Sequence, residues 1–346
     1  MIAVLGAGAM GAALATHLAR SGAGTVVLAT AYDDAVVKAW RGRLPHPALG
    51  IMLPRDVAVR DWGDWDESLA AAEAVFVAVS SPGLHGVVSA AAEHAAPDAI
   101  WVLVTKGWQP ATLLAPSEVA AAVLGPDRAT VTLAGPGIAA EIVSGSPTAL
   151  LCASHDRQAR HQVAQMLTSP SMLIVTTSDV TGAETASAYK NVVAIAVGIA
   201  EGLSDRFIES AVVRAFANAR GAMFAQGMLD MVHLVEARGG HSSTVLGLAG
   251  AGDLYVTCVG GRNGRFGRLL GSGSRPEQAL RSIGSTVEGI ANTTAALGLA
   301  ERYSIDLPTA RAVDLALGGG LADEHALEQV RQLFTTSLRQ AAHHPR

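Results

Sequence analysis

The first twenty residues constrain this chain more than any other stretch. An apolar run, IAVL at 2–5, leads directly into glycines at 6, 8 and 11 and then into an alanine-rich helical pattern over 10–21. In a strand–turn–helix unit, Gly6 permits the tight turn and Gly8 lets the backbone approach a pyrophosphate. Gly11 permits close packing of helix on strand, and the helix N-terminus offers N–H groups to the phosphates. The spacing predicts a dinucleotide site, with NAD or NADP as cofactor. With no basic residue before its apolar part, the N-terminus reads as strand and turn rather than as a secretory signal.

The same rhythm continues. TVVLAT (25–30), AVFVAV (74–79), IWVLVT (100–105), ATVTLA (129–134), TALLCA (148–153) and SMLIVTT (171–177) read as strands, several of them apolar throughout, as strands buried on both faces are. Helical patterns at 10–21, 84–95, 117–123 and 156–168 fall between them. This is the alternation of a doubly wound parallel α/β sheet, the Rossmann arrangement. After about residue 180 the strand pattern stops, and 183–202, 207–238, 286–301 and 323–342 have helical spacing. The expectation is a dinucleotide-binding Rossmann domain over 1–180 and an all-helical, substrate-binding domain over 181–346, with the boundary near Ser178–Gly182.

Composition narrows the function classes. A net charge of −5 with no basic run argues against a nucleic-acid partner. Two isolated cysteines, Cys152 and Cys258, make neither a disulfide framework nor a metal site. The most apolar long segment, Thr185 to Ala200, carries Lys190 and Asn191 in its middle, so membrane insertion is not expected. A cytoplasmic protein acting on a small molecule is the simplest reading.

Cofactor preference stays open. An acid ending the second strand favours NAD, and nearby arginines favour NADP. Here LATAYDD places Ala31 and Tyr32 first, Asp33 a little late, and Arg41 and Arg43 farther on. Asp33 has two readings, a ribose ligand or the cap of the following helix.

Four places carry residues suited to chemistry. Lys106, followed by a glycine, ends an apolar strand at the carboxyl edge of the sheet, where open α/β folds bind ligands. After the strand 129–134, Gly135 with Pro136 near the first helical position would leave N–H groups free. Lys190 is the only formal charge between Glu184 and Glu201. A buried ammonium is expensive without a partner, and burial is one way a lysine becomes a proton donor near neutral pH. Finally, GAGDLYVTCVGGRNGRFG (250–267) surrounds Asp253, Thr257, Arg262 and Asn263 with glycines, which suits either a tight helix junction or a bound ligand. With a helix starting at Asp253, Thr257 faces the same way one turn on, Asp253 can pair with Lys190, and the Arg262–Asn263 turn can take a phosphate.

Taken in order, GAGAMG (6–11), HPALGIMLP (46–54), TKG (105–107), GPGIAAE (135–141), SPTAL (146–150), YKNVVAIAVGI (189–199), GLAGAGDLYVTC (247–258), GGRNGRFGRLLGSG (260–273) and TVEG (286–289) make the chain resemble the NAD(P)-dependent glycerol-3-phosphate dehydrogenases of bacteria and archaea. The resemblance implies reduction of dihydroxyacetone phosphate to sn-glycerol 3-phosphate for phospholipid synthesis, in a homodimer, without a metal. It implies Lys190 as proton donor and acceptor, Asp253 orienting it, and Lys106 on the substrate. Gly135, Asn191, Thr257, Arg262 and Asn263 would also contact substrate, with the Arg–Asn pair at its phosphate. Gly6, Gly8, Ala9, Met10, Gly11, Lys106, Ala139, Arg262 and Glu288 would lie by the cofactor. Substrate would sit between the two domains. The chain departs from the family at Ala225–Gln226, where an arginine is usual, and at Gly261, where a serine is common. These departures leave room for a paralogue acting on a related phosphorylated or phosphonate carbonyl. A 3-hydroxyacid or ketopantoate reductase and a non-catalytic dinucleotide sensor are the rival readings.

Overall fold

The computed structural model describes residues 1–207 and 217–319, together with Leu321 and Glu328. The chain divides into two compact units, Met1–Gln109 with Leu114–Glu184, and Pro110–Leu113 with Thr185–Arg346.

The first unit alternates strands and helices: β1 (Ile2–Leu5), α1 (Ala9–Arg20), β2 (Thr25–Leu28), α2 (Asp34–Arg41), β3 (Ala58–Arg60), α3 (Asp66–Ala70), β4 (Ala74–Val77), α4 (Ser81–Ala92), β5 (Ile100–Leu103), α5 (Pro116–Leu124), β6 (Thr130–Ala134), α6 (Ala139–Ser144), β7 (Thr148–Ala153), α7 (Arg157–Leu167) and β8 (Met172–Thr177). The eight strands form one sheet in the order β3-β2-β1-β4-β5-β6-β7-β8. Alternate residues of β1 feed different cores, Ile2 and Val4 on one face, Ala3 and Leu5 on the other. Both faces are therefore covered, which is why its sequence is apolar without a break. Because β1 pairs with both β2 and β4, the winding reverses at β1, and the glycine loop leaves its carboxyl end at that switch point.

The sheet departs from the expected pattern at two strands. β3 is only AVR, exposed or half-buried at the sheet edge, and shows no apolar run. β7 runs antiparallel to β6 and parallel to β8. The connection from β6 holds a six-residue helix, half the length of the helix that links β1 to the parallel β2. Pro136 is not near a first helical position, since α6 starts at Ala139 behind Ile138.

In the second unit, α8 (Val180–Phe207), which starts in the first, is followed by α9 (Ala217–Ala237), α10 (Ser242–Leu246), a π-helical turn (Leu248–Gly252), α11 (Asp253–Gly260), α12 (Arg262–Gly271), α13 (Pro276–Ile283), α14 (Glu288–Tyr303) and α15 (Pro308–Gly319). No strand follows β8 among the described residues. The expected helix at 323–342 lies outside them, apart from Glu328, as does 208–216 of the one at 207–238. Helix α8 is buried nearly all round from Ala183 to Ala200, as a helix apolar on every side must be.

Candidate active site

In the glycine loop the three glycines have different reasons. Gly6 adopts φ +101°, and a Cβ there would lie 2.8 Å from the Ala78 carbonyl oxygen. A Cβ on Gly11 would lie 2.0 Å from the Gly6 oxygen. Around Gly8, by contrast, nothing stands within 4 Å of a Cβ. The protein's own packing demands glycine at 6 and 11 but not at 8. The open space above Gly8, at the start of the twelve-residue helix α1, fits a ligand that comes close to the backbone. The residues present thus suit a dinucleotide pyrophosphate. Ala9 and Met10 open α1, and the Met10 Cε lies 3.8 Å from a Cβ built on Gly137, two residues before Ala139.

Asp33 sits at the N-cap position of α2 without making a side-chain cap bond to it. Its Oδ2 instead accepts from the Thr30 N–H at 2.8 Å, the Thr30 hydroxyl at 2.7 Å and the Ala7 N–H at 3.0 Å, and the residue is buried. The carboxylate faces inward, onto the glycine loop.

Lys106 follows β5 and Gly135 follows β6, which are neighbours in the sheet. The Lys106 ammonium donates to the Gly135 carbonyl oxygen at 3.0 Å, which brings the two together at the carboxyl edge. In the same unit the Glu184 carboxyl is buried and accepts from the Ser117 N–H (2.9 Å), the Ser117 hydroxyl (2.6 Å) and the Thr132 hydroxyl (2.8 Å). Burial pushes its pKa up to about 7 against the pull of those donors.

The second unit gathers the remaining candidates. Lys190 on α8 is only 6 % exposed, and its Nζ donates to the Asp253 Oδ1 at 2.7 Å and to the Thr257 hydroxyl at 2.9 Å. Asp253 is the first residue of α11, and Thr257, one turn later, donates back to the Asp253 carbonyl at 2.6 Å. A hydroxyl so committed must present a lone pair to the lysine. The buried ammonium is thus neutralised and its direction fixed.

Beside it, Asn263 Nδ2 donates to the Asn191 Oδ1 at 2.9 Å, while its own Oδ1 accepts from the Gly289 N–H at 2.9 Å. Asn191 Nδ2 reaches Glu288 Oε2 at 3.5 Å, and Glu288 opens α14, where a carboxylate suits the helix dipole. Arg262, exposed, is the first residue of α12 rather than part of a turn.

The glycine density at 250–267 now has a structural cause. A Cβ on Gly198 of α8 would stand 2.2 Å from the Gly264 oxygen, and one on Gly267 2.1 Å from the Ile195 oxygen. Helices α8 and α12 touch backbone to backbone, which sets Asn191 against Asn263. Gln226, where an arginine is usual, donates to Asp230 at 2.7 Å from one turn earlier on α9. Asp230 also accepts from the Tyr189 hydroxyl and the Thr309 N–H, and burial holds its pKa above the usual carboxylate range. Sequence reading missed Glu184 and Asp230 as buried acids. Glu184 carries a signal in being the acid six residues before Lys190 in an apolar helix, whereas Asp230 has none. Among the described residues no group of three or more His, Cys, Asp or Glu is placed to hold a metal ion, and no helix is long and apolar enough to cross a membrane.

Residues 1–160 match the family model for the NAD-dependent glycerol-3-phosphate dehydrogenase N-terminus, and residues 179–328 match that for its C-terminus. A glycerol-3-phosphate dehydrogenase (NAD(P)+) of Hydrogenovibrio crunogenus is 34% identical over 342 residues, covering 96% of this chain and 95% of the relative. One of the same name from Thiobacillus denitrificans is 34% identical over 332 residues, covering 95% of this chain and 97% of the relative. A crystal structure of glycerol-3-phosphate dehydrogenase (gpsA) from Coxiella burnetii superposes with a TM-score of 0.82 at 28% identity, covering 99% of this chain and 98% of that one.

Proposed function

Because the chain belongs to the NAD-dependent glycerol-3-phosphate dehydrogenase family, we propose that it transfers a hydride between NADH or NADPH and dihydroxyacetone phosphate, reversibly giving sn-glycerol 3-phosphate. The observation that carries this reading is the buried Lys190–Asp253–Thr257 group, an ammonium aimed and neutralised by its neighbours in an otherwise apolar helix.

The reduced nicotinamide, when bound, supplies the hydride. Gly6, Gly8 and Gly11, with the opening residues Ala9 and Met10 of α1, hold the pyrophosphate, and Ala139, Lys106, Arg262 and Glu288 complete the cofactor's surroundings. Lys190 donates a proton from Nζ to the oxygen that gains charge as the carbonyl is reduced, and takes it back in the reverse direction. Asp253 keeps Nζ oriented through each turnover, and Thr257 shares that task. Lys106 contacts the substrate and adds positive charge where the oxyanion grows, beside the Gly135 turn to which it is bonded. Arg262 takes the phosphate with its exposed guanidinium, and Asn263 offers the second N–H of its amide, the first being held by Asn191. Binding energy from that phosphate fixes the reacting carbonyl without taking part in the chemistry.

A homodimer in the cytoplasm, supplying sn-glycerol 3-phosphate for phospholipid synthesis, belongs to the same reading and rests on the family. Incubation with dihydroxyacetone phosphate and reduced cofactor, followed by stereospecific assay of the product, tests it. Formation of sn-glycerol 3-phosphate supports it. Turnover of ketopantoate or a phosphonate analogue in preference to dihydroxyacetone phosphate overturns it.

A further inference from the structure

Ala7, between the first two glycines of the loop, is gripped at both of its peptide groups by side chains from elsewhere in the first unit. Its N–H donates to the Asp33 Oδ2 at 3.0 Å. Its carbonyl oxygen lies 3.0 Å from the His46 Nε2. The Ala48 N–H donates to His46 Nδ1 at 3.1 Å, so Nδ1 carries no proton and Nε2 is the donor to Ala7. The imidazole is itself held firmly. It is 2 % exposed, its ring centroid stands 5.6 Å from that of Trp40, and its backbone closes a turn through His46 N–H to Ile51 O at 2.7 Å and Gly50 N–H to His46 O at 2.8 Å.

This clamp has a direct geometric consequence. In a trans peptide the carbonyl of one residue and the N–H of the next point in opposite directions. With the Ala7 carbonyl turned to His46, the Gly8 N–H is turned away from it. The oxygen that would repel a pyrophosphate is thereby engaged by the imidazole. Asp33, binding the other peptide group, fixes the second hinge of the same three-residue loop.

We propose that His46 and Asp33 are positioning residues for the dinucleotide, holding the Ala7 peptide groups so that the loop binds either NADH or NADPH without rearrangement. The inference rests on the cofactor reading above and adds two residues to it. Asp33 acts through the loop and not on the ribose, so its loss weakens both dinucleotides alike.

Equilibrium titration of NADH and of NADPH, followed by nicotinamide fluorescence on the full chain, tests this without any substrate. His46→Leu is expected to raise both dissociation constants roughly tenfold or more, as befits the loss of a buried hydrogen bond that organises the loop. His46→Gln, which keeps an N–H at the place of Nε2, restores most of the affinity. Asp33→Asn weakens NADH and NADPH by the same factor, and hydrogen exchange at Ala7 and Gly8 speeds up in each weakened variant. Unchanged affinity in a folded His46→Leu with a lowered melting temperature shows a merely structural role and overturns the proposal. Selective loss of NADH in Asp33→Asn, with NADPH unaffected or improved, makes Asp33 a ribose ligand and overturns it too. If His46→Leu does not fold, His46→Gln and Asp33→Asn decide. Wild-type protein that binds neither dinucleotide defeats the cofactor reading itself, an outcome distinct from normal wild-type binding with normal variants.

Discussion

The Lys190 ammonium lies 2.7 Å from the Asp253 carboxylate, on helices whose residues are 63 apart in sequence, and both side chains are buried. A pair like this is weak evidence for stability, since desolvation offsets much of its attraction, but removing one member strands the other. Its presence in the fold is best explained by what the ammonium does.

Replacement Lys190→Ala is therefore expected to lower kcat by roughly 10²–10⁴-fold, the usual worth of a positioned proton donor, with dinucleotide affinity nearly unchanged. It also removes the ammonium that neutralises the buried Asp253 carboxylate, so a drop in stability on the order of 3 kcal/mol accompanies it. Steady-state kinetics, denaturant unfolding and cofactor titration on one preparation separate the effects. A kcat within twofold of wild type removes Lys190 from the chemistry.

Arg262→Ala tests the phosphate contact. Losing one charge-assisted bond of about 1.5–3 kcal/mol raises KM for dihydroxyacetone phosphate roughly 10- to 100-fold. Unphosphorylated dihydroxyacetone, which has no phosphate to lose, should be turned over equally poorly by both proteins. An unchanged KM places the phosphate elsewhere.

The glycines of the loop give a contrast within five residues. Gly8→Val meets no protein atom within 4 Å of its Cβ, so the chain stays folded while dinucleotide binding is blocked. Gly11→Ala sets a Cβ 2.0 Å from the Gly6 oxygen and lowers the melting temperature even without ligand. Calorimetry of both variants, with and without NADPH, shows whether the two losses separate in this way.

These contacts also show what the sequence could convey. Apolar strands such as Ile2–Leu5 and Ala74–Val77 were readable because burial on both faces leaves no polar residue to break the run. The edge strand β3 and the direction of β7 were not, since a three-residue edge strand carries no pattern and an apolar run reads the same in either direction. Lys190 stood out as a lone charge in apolar surroundings, and Asp253 followed from glycine spacing. Glycine density at 250–267 was ambiguous by nature, because a backbone approaching a ligand and one approaching a helix need the same residue. Only the structure separates the two: the neighbour is α8 at Gly267 and α11 at Gly264. His46 and Asp33 meet at Ala7 through three separate loops, a convergence that no local spacing encodes.

Helix α8 depends on that backbone contact. Gly198→Ala places a methyl 2.2 Å from the Gly264 oxygen, a backbone atom that cannot step aside alone. The expected cost is about 1–3 kcal/mol in unfolding free energy, together with weaker catalysis as Asn191 and Asn263 lose register. Wild-type stability in this variant contradicts the packing described.

Glu184 makes stability pH-dependent in an unusual direction. Its pKa is raised from 4.5 to about 7 in the fold, so between those values the native chain keeps a proton that the unfolded chain has released. Stability contributed by this group is full below about 4.5 and falls as pH rises to about 7, by on the order of 3 kcal/mol. Glu184→Gln removes this slope, so the stability difference between variant and wild type should grow in the variant's favour across that window. A difference independent of pH means the carboxyl is not perturbed.

The most direct test of the central claim is the rate at which the near-ultraviolet absorbance of NADH, and separately of NADPH, disappears when dihydroxyacetone phosphate is added to the wild-type chain. Rapid loss with at least one cofactor, abolished in Lys190→Ala, is what the account predicts. No loss with either, from a protein that binds both dinucleotides, contradicts it.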